Sequence, residues 1–123
     1  MKKIIIYTVG LIIISGASFF GAKVYTDSVY GEPNLASGQK LYNTNCAVCH
    51  GSKGLGDGVA SNTLAVRPDN IFEELVNPFG FKYELISSVL DGDNGQDGLM
   101  PAFKGILTEK EVNDILEHVR HIN

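Results

Sequence analysis

The chain has 123 residues, of which 44% are hydrophobic and 20% charged, a composition typical of a folded globular protein rather than a disordered one. Ten basic and fourteen acidic residues give the chain a formal charge of −4, and the eight basic and fourteen acidic residues from Lys23 onward give that part −6. This acidic balance argues against nucleic-acid binding, because that activity needs a basic face. The only two cysteines lie three residues apart, so they exclude a framework of structural disulfides.

Residues 1–22 have the pattern of a membrane anchor or signal peptide. Lys2 and Lys3 precede an uncharged run of 19 residues, Ile4 to Ala22, which is long enough to cross the hydrocarbon layer as a helix. The leading lysines predict that the rest of the chain lies outside the inner membrane. Cleavage near Ser15-Gly16-Ala17 is the alternative, giving a soluble periplasmic protein. We favour a retained single-pass anchor because the apolar run continues past these small residues.

A short polar segment, residues 23–33, follows the apolar run and contains Gly31 and Pro33. We interpret it as a linker that reaches at most roughly 35 Å when fully extended. The remaining residues, 34–123, are predicted to form one domain.

Two helical patterns occupy the first two thirds of this domain. The first runs from about Leu35 to Asn45, with Asn34 or Ser37 as a candidate N-cap. The second runs from about Tyr83 to Leu90, with its apolar residues on one face and Gly92 as a stop signal.

A third helix is predicted from the capping box Thr108-Glu109-Lys110-Glu111 onward, because apolar residues then recur at helical spacing as far as Ile122. No alternating pattern is long enough to predict a strand, and glycine-rich loops cover residues 51–58 and 92–98. We expect an all-α domain whose thin core needs a large prosthetic group.

The sequence Cys46-Ala47-Val48-Cys49-His50 is the C-x-x-C-H pattern of c-type haem attachment. Positions i, i+3 and i+4 share one side of a helical turn, so two thiols can form thioether bonds to the two vinyl groups of one haem edge while the imidazole reaches the iron. We therefore predict one covalently attached haem c, bound through Cys46, Cys49 and His50.

Three other uses of the cysteine pair remain open. A thioredoxin-like redox pair needs a strand followed by a helix, and no such context is visible. A zinc site could combine Cys46 and Cys49 with His118 and His121, which lie three residues apart. The third alternative is a simple disulfide between the two cysteines.

Over nearly all of residues 34–123, the chain resembles the class I mono-haem cytochrome c family. The first-helix pattern matches at Gly38, Leu41 and Tyr42, and Gly51 is the glycine that follows the motif histidine. The distal methionine segment matches at Leu99-Met100-Pro101-Ala102-Phe103, and the closing helix matches up to Arg120. The resemblance implies a small cytochrome c-like fold of three main helices and long loops wrapped around one haem.

The resemblance also implies that Met100 is the sixth iron ligand, opposite His50. Met100 is the only methionine besides Met1, and Pro101 favours an extended backbone before it. Met100 as core filler is the alternative, and His118 and His121 are rival ligands. Because methionine/histidine ligation raises the reduction potential, the family implies a relatively high-potential carrier.

Two further contacts follow from the family pattern. The backbone carbonyl of Pro68 is the candidate acceptor for the second ring N–H of His50. Gly38 is expected to let the last helix approach closely, with Ile115 as the aliphatic partner and His118 where tyrosine or phenylalanine is more common.

These features predict an electron-transfer cytochrome, not an enzyme, that shuttles single electrons between respiratory-chain partners on the outer face of the inner membrane. A haem subunit of a larger oxidase or dehydrogenase complex is the alternative. A peroxidase or gas sensor is a third class, and it requires an open sixth position. The acidic surface suggests redox protein partners with basic docking patches.

Overall fold

The computed structural model describes residues 2–92 and 100–123, and the predicted all-α fold is confirmed in this part of the chain. Its one β-type pairing is an isolated bridge between Lys104 and Leu107. The helices are α1 (Lys2–Ser28), α2 (Leu35–Asn45), α3 (Ala47–His50), α4 (Ile71–Val76), α5 (Lys82–Asp91) and α6 (Glu109–His121), with a 3-10 turn at Ser61–Thr63. Of the glycine-rich loop predicted at residues 92–98, all but Gly92 lies outside the described residues.

The helices α2 and α6 begin where their capping residues predict. Asn34, not Ser37, is the N-cap of α2, because its side chain accepts the backbone N–H of Ser37 at 3.0 Å. At the start of α6, Thr108 Oγ1 accepts the N–H of Glu111 at 3.3 Å and Glu111 Oε2 accepts the N–H of Thr108 at 2.8 Å. This reciprocal pair is the predicted capping box.

The shorter elements were harder to predict. The helix α5 extends one residue beyond the prediction at each end, from Lys82 to Asp91. The helical turn expected for the C-x-x-C-H motif is α3, whereas α4 and the 3-10 turn were not predicted, because each has six residues or fewer and shows no full hydrophobic period. A cap does mark α4, since Asn70 Oδ1 accepts the N–H of Glu73 at 3.1 Å.

The first helix is longer than its apolar run. It continues through residues 23–28, which the composition predicts as linker, and ends at Ser28. Lys23 and Asp27 form an ion pair of 3.5 Å at i, i+4 spacing, which supports this additional turn. The chain then turns at Gly31, whose φ is 72°. Residues 23–28 of the segment predicted as linker therefore form the C-terminal end of a helix.

The helices α2 and α6 cross at Gly38. A Cβ atom on Gly38 would lie 2.6 Å from the carbonyl carbon of Asp114 and 3.1 Å from Cβ of His118, so only glycine fits. This confirms the predicted close approach. Ile115 is not among the atoms nearest to Gly38 and is buried in the core, with 2% of its surface exposed. The Asp114 carboxylate also accepts the N–H of Asn34 at 2.9 Å, which fixes the start of α2 against α6.

The core lies between α2, α4, α5 and α6. Half of its buried apolar residues come from one face of α6, and the full set is Tyr42, Leu75, Ile86, Leu107, Val112, Ile115, Leu116 and Val119. Partly buried apolar side chains pack against this core and include Leu41, Cys46, Ala47, Leu85, Val89, Leu90 and Phe103. Among the described residues, a core of eight buried apolar side chains is small for a domain of this size, as expected where a cofactor supplies part of the interior.

Candidate cofactor site

The C-x-x-C-H motif forms a single helical turn directly after α2. Cys46 ends α2 and precedes α3, and its carbonyl accepts the N–H groups of Cys49 at 3.1 Å and of His50 at 2.9 Å. The side chains of Cys46, Cys49 and His50 are all half-buried. The structure thus brings the two thiols and the imidazole together on one turn, the arrangement that attachment to one cofactor edge requires.

Backbone amides of the following loop complete this turn. The last carbonyls of the motif accept hydrogen bonds of 2.9 to 3.1 Å from the loop. The N–H of Gly56 donates to His50, that of Gly58 to Cys49 and that of Ala60 to Val48. A Cβ atom on Gly58 would lie 2.5 Å from the carbonyl carbon of Cys49, so a side chain there would displace the loop from the turn. The glycine-rich loop therefore caps α3 and fixes the orientation of the motif.

The imidazole of His50 is oriented by a backbone carbonyl. Its Nδ1 lies 3.2 Å from the carbonyl oxygen of Asp69, so Nδ1 donates its proton and Nε2 keeps a free lone pair. The predicted acceptor, Pro68, is wrong by one residue, because the Pro68 carbonyl instead lies against Gly56. Burial lowers the pKa of His50, and the Asp69 carbonyl partly offsets that effect. A neutral imidazole with a free Nε2 is the form that binds a metal.

Tyr42 ties the motif to the helix crossing. Its side chain is fully buried, and its hydroxyl donates to the carbonyl of Gly51 at 2.5 Å, immediately after the motif histidine. Burial raises the pKa of Tyr42, so the hydroxyl keeps its proton and remains a donor. In the sequence, Tyr42 was marked only as part of the first-helix pattern that precedes Cys46 by one turn, and its hydrogen bond to Gly51 was not predicted.

The other uses of the cysteines find no support in the described residues. The two thiols are not bonded to each other, and no group of three or more histidine, cysteine, aspartate or glutamate side chains in residues 2–92 and 100–123 could hold a metal ion. Burial, followed by the proximity of Cys49, raises the pKa of Cys46 to about 11. A redox-active pair needs a lowered thiol pKa, so the environment of Cys46 has the opposite character.

Met100 lies on a different element, the segment that follows α5. The segment packs against the end of that helix, because the Phe103 and Lys104 amides donate to the Val89 and Leu90 carbonyls at 3.2 and 2.9 Å. The carbonyl oxygen of Met100 would lie 2.9 Å from a Cβ atom on Gly92, which requires glycine at the helix end. The Met100 side chain is half-buried.

The two histidines of α6 lie in different environments, since His118 is buried and His121 is exposed. His118 is 7% exposed and packs beside Gly38, with its ring centroid 5.9 Å from that of Tyr42. His121 is exposed in the last turn. Because His118 contributes to the α2–α6 crossing, it is poorly suited to act as an alternative ligand.

These residues fit a covalent haem. One helical turn presents two unbonded thiols and an imidazole whose Nδ1 is already bonded, so its remaining nitrogen is the one available to iron. Leu85, Val89 and Phe103 pack on the core but stay partly exposed, and they supply an apolar surface of the kind that a porphyrin covers. The donor set and its apolar surroundings are those of a c-type haem site.

Comparison with known proteins agrees with this site. A protein-family model described as "Cytochrome C oxidase, cbb3-type, subunit III" matches residues 33–119. Cytochrome c6 of Parathermosynechococcus lividus and of Synechococcus elongatus are each 34% identical over 88 residues, covering 70% of this chain and 87% of the relative. Cytochrome c6 of Leptolyngbya boryana is 29% identical over 86 residues, covering 70% and 89%. No solved structure gave a significant match.

The matched region begins next to the cap of α2 and ends in α6, so it contains the attachment turn, the Met100 segment and both crossing helices. The chain belongs to the class I mono-haem cytochrome c family, and it is an electron carrier with a covalently bound haem c rather than an enzyme.

Proposed function

We propose that this cytochrome carries single electrons between respiratory-chain proteins on the outer face of the inner membrane, with His50 and Met100 as the axial ligands of its iron. The observation that carries the proposal is the motif turn, in which the Asp69 carbonyl holds the His50 ring with Nε2 free. Residues 1–22 form the anchor in this proposal and residues 34–123 the redox domain.

Each site residue has a defined task. Cys46 and Cys49 form thioether bonds that prevent loss of the cofactor outside the cell, and His50 donates its Nε2 lone pair to the iron. The bound haem supplies a reversible ferric/ferrous couple. Met100 would supply a sulfur ligand to the haem iron, which would favour the reduced state and leave no open position for a substrate. The Asp69 carbonyl keeps the His50 ring from rotating, so little rearrangement accompanies electron transfer.

The retained anchor is supported by the first helix. It is the one helix among the described residues that is long and apolar enough to cross a membrane, and none of its residues is buried in the protein. Lys2 and Lys3 precede the apolar run, which supports an orientation with the domain on the outer face of the membrane. Carbonate extraction and intact mass of membrane-derived protein test retention: a full-length, carbonate-resistant chain supports the anchor, and a soluble chain cleaved near Ser15-Gly16-Ala17 refutes it.

Optical spectroscopy tests the axial ligands. The oxidised protein should be low-spin with a red-region sulfur-to-iron charge-transfer band, and the reduced protein should bind carbon monoxide poorly. Met100→Ala should abolish the band and open the iron to carbon monoxide. His118→Phe is the control, because His118 lies at the helix crossing, and it should keep the band. A band that persists in Met100→Ala would refute methionine ligation.

A second candidate is a c-type haem subunit of a larger respiratory complex. The description of the matched family model, which names an oxidase subunit, favours it. Purification in mild detergent separates the two functions: a stoichiometric, haem-containing partner that remains bound at high salt indicates a subunit, whereas isolation alone indicates a free carrier.

A further inference from the structure

Four phenylalanines form a contact between the first helix and the domain, which we call the phenylalanine patch. Phe19 and Phe20 lie on α1, and Phe79 and Phe81 lie in the loop before α5. The ring centroid of Phe19 is 5.5 Å from that of Phe81 and 6.3 Å from that of Phe79. Part of the redox domain therefore touches a residue inside the apolar run of α1.

Polar contacts hold this loop against the helix. Lys23 Nζ donates to the carbonyl of Gly80 and lies 5.4 Å from the ring centroid of Phe81. One turn later, Asp27 accepts from Lys82 twice at 3.3 Å, from the backbone N–H to Oδ1 and from Nζ to the carbonyl oxygen. The domain is thus fastened to α1 by polar contacts about one and two turns after Phe19, rather than suspended on a free linker.

The length of the apolar run gives the depth of the patch. At about 1.5 Å per residue, the 19 residues between Lys3 and Lys23 extend roughly 28 Å, close to the hydrocarbon thickness of about 30 Å. Phe19 lies four residues, or about 6 Å, inside the end marked by Lys23. Any side chain in contact with Phe19 must then reach the outer boundary of the hydrocarbon layer.

Phe79 is the member of the patch that faces away from protein. Its surface is 74% exposed, against 51% for Phe20, whereas Phe19 and Phe81 are half-buried. Phenylalanine and leucine side chains on the apolar face of interfacial segments are buried at the boundary between lipid headgroups and acyl chains, where lipid covers them. The depth of Phe19 therefore places the exposed ring of Phe79 where lipid can cover it.

We propose that the loop carrying Phe79 is a second membrane contact, in which the ring of Phe79 inserts into the outer interfacial region of the bilayer that α1 spans. The inference rests on the proposed retention of α1 as an anchor. It adds that the domain lies on the bilayer through its own side chain, so its orientation relative to the membrane is restricted.

Photo-crosslinking of the full-length holoprotein in nanodiscs of zwitterionic lipid tests this contact. A benzoylphenylalanine replaces Phe79 in one variant, Phe20 in a second and Ile106 in a third. Ile106 is a matched control because it is 69% exposed and lies in the loop before α6. Irradiation followed by intact mass measures the fraction of chains that carry a lipid adduct, and an unchanged visible spectrum checks the fold.

We expect lipid adducts at position 79 several-fold above those at 106 and similar to those at 20. If position 20 forms lipid adducts but the yield at position 79 is no higher than at position 106, the second contact is overturned and the anchor is left intact. No adducts at 20 would overturn the anchor and this inference together. In whole cells, adducts at 79 to a protein and none to lipid would assign the exposed ring to a protein partner and reject lipid as its cover.

Discussion

Replacing Gly38 with alanine tests the packing that positions the attachment turn. The added Cβ atom would lie 2.6 Å from the Asp114 carbonyl carbon and would overlap the carbonyl oxygen of the same residue. The obstacle is helix backbone, which cannot rotate away as a flexible side chain can. To accommodate Gly38→Ala, the two helices must therefore move apart or α2 must bend.

The magnitude follows from two opposing effects. Overpacking a well-packed interior costs about 1–3 kcal/mol, and contact with rigid backbone places this site near 3 kcal/mol. Alanine is favoured over glycine inside a helix by roughly 1 kcal/mol, which offsets part of that cost. We expect a net loss of about 2 kcal/mol in the free energy of unfolding, or roughly 8–16 °C in the melting temperature for a domain of this size.

Denaturant unfolding of the holoprotein, followed by far-ultraviolet circular dichroism, measures this loss. Gln39→Ala is the matched control, because Gln39 is the exposed neighbour of Gly38 on α2 and surface changes of this kind stay within about 0.5 kcal/mol. Gly38→Ala should lower the denaturant midpoint with an unchanged slope. A Gly38→Ala protein as stable as the wild type would show that the crossing is looser than the structure indicates.

Three further predictions concern charge. Lys82→Met removes the buried partner of Glu117, whose Oε1 lies 2.8 Å from Lys82 Nζ, and should lower the free energy of unfolding by roughly 2–4 kcal/mol. The double variant Lys82→Met/Glu117→Leu should be less destabilised, and an equal loss of stability in the two variants would contradict this. Burial, then repulsion from His121, lowers the pKa of His118, so the unfolded chain binds the proton more readily and stability should fall as the pH drops from about 7 to 5. His118→Phe should flatten that dependence in urea titrations at each pH, and an identical pH profile would refute it. With eight basic against fourteen acidic residues from Lys23 onward, electron transfer with a basic partner should slow as salt rises in stopped-flow measurements, and a salt-independent rate would remove the electrostatic contribution.

The sequence predicts those parts of the fold whose cause is local. Asn34 and Thr108 mark the starts of α2 and α6 because capping depends on residues three positions apart. The attachment motif is local in the same sense, since its three side chains share one turn.

Contacts between distant segments were less predictable. The Pro68 carbonyl was predicted to orient His50, but the carbonyl of Asp69 lies beside the His50 ring instead. Which of two neighbouring carbonyls faces the ring depends on long-range packing of an irregular loop, such as the contact of Gly56 with Pro68. The extension of α1 through Lys23 escaped prediction for a similar reason, since the contacts that hold it come from the loop before α5, some 55 residues away.

Intact mass of the purified, matured protein after treatment with a thiol-alkylating reagent tests the central claim most directly. Thioether bonds at Cys46 and Cys49 predict a chain heavier by one haem, with neither cysteine alkylated and the haem retained under denaturing conditions. A chain of unmodified mass that takes up two alkyl groups would contradict the account.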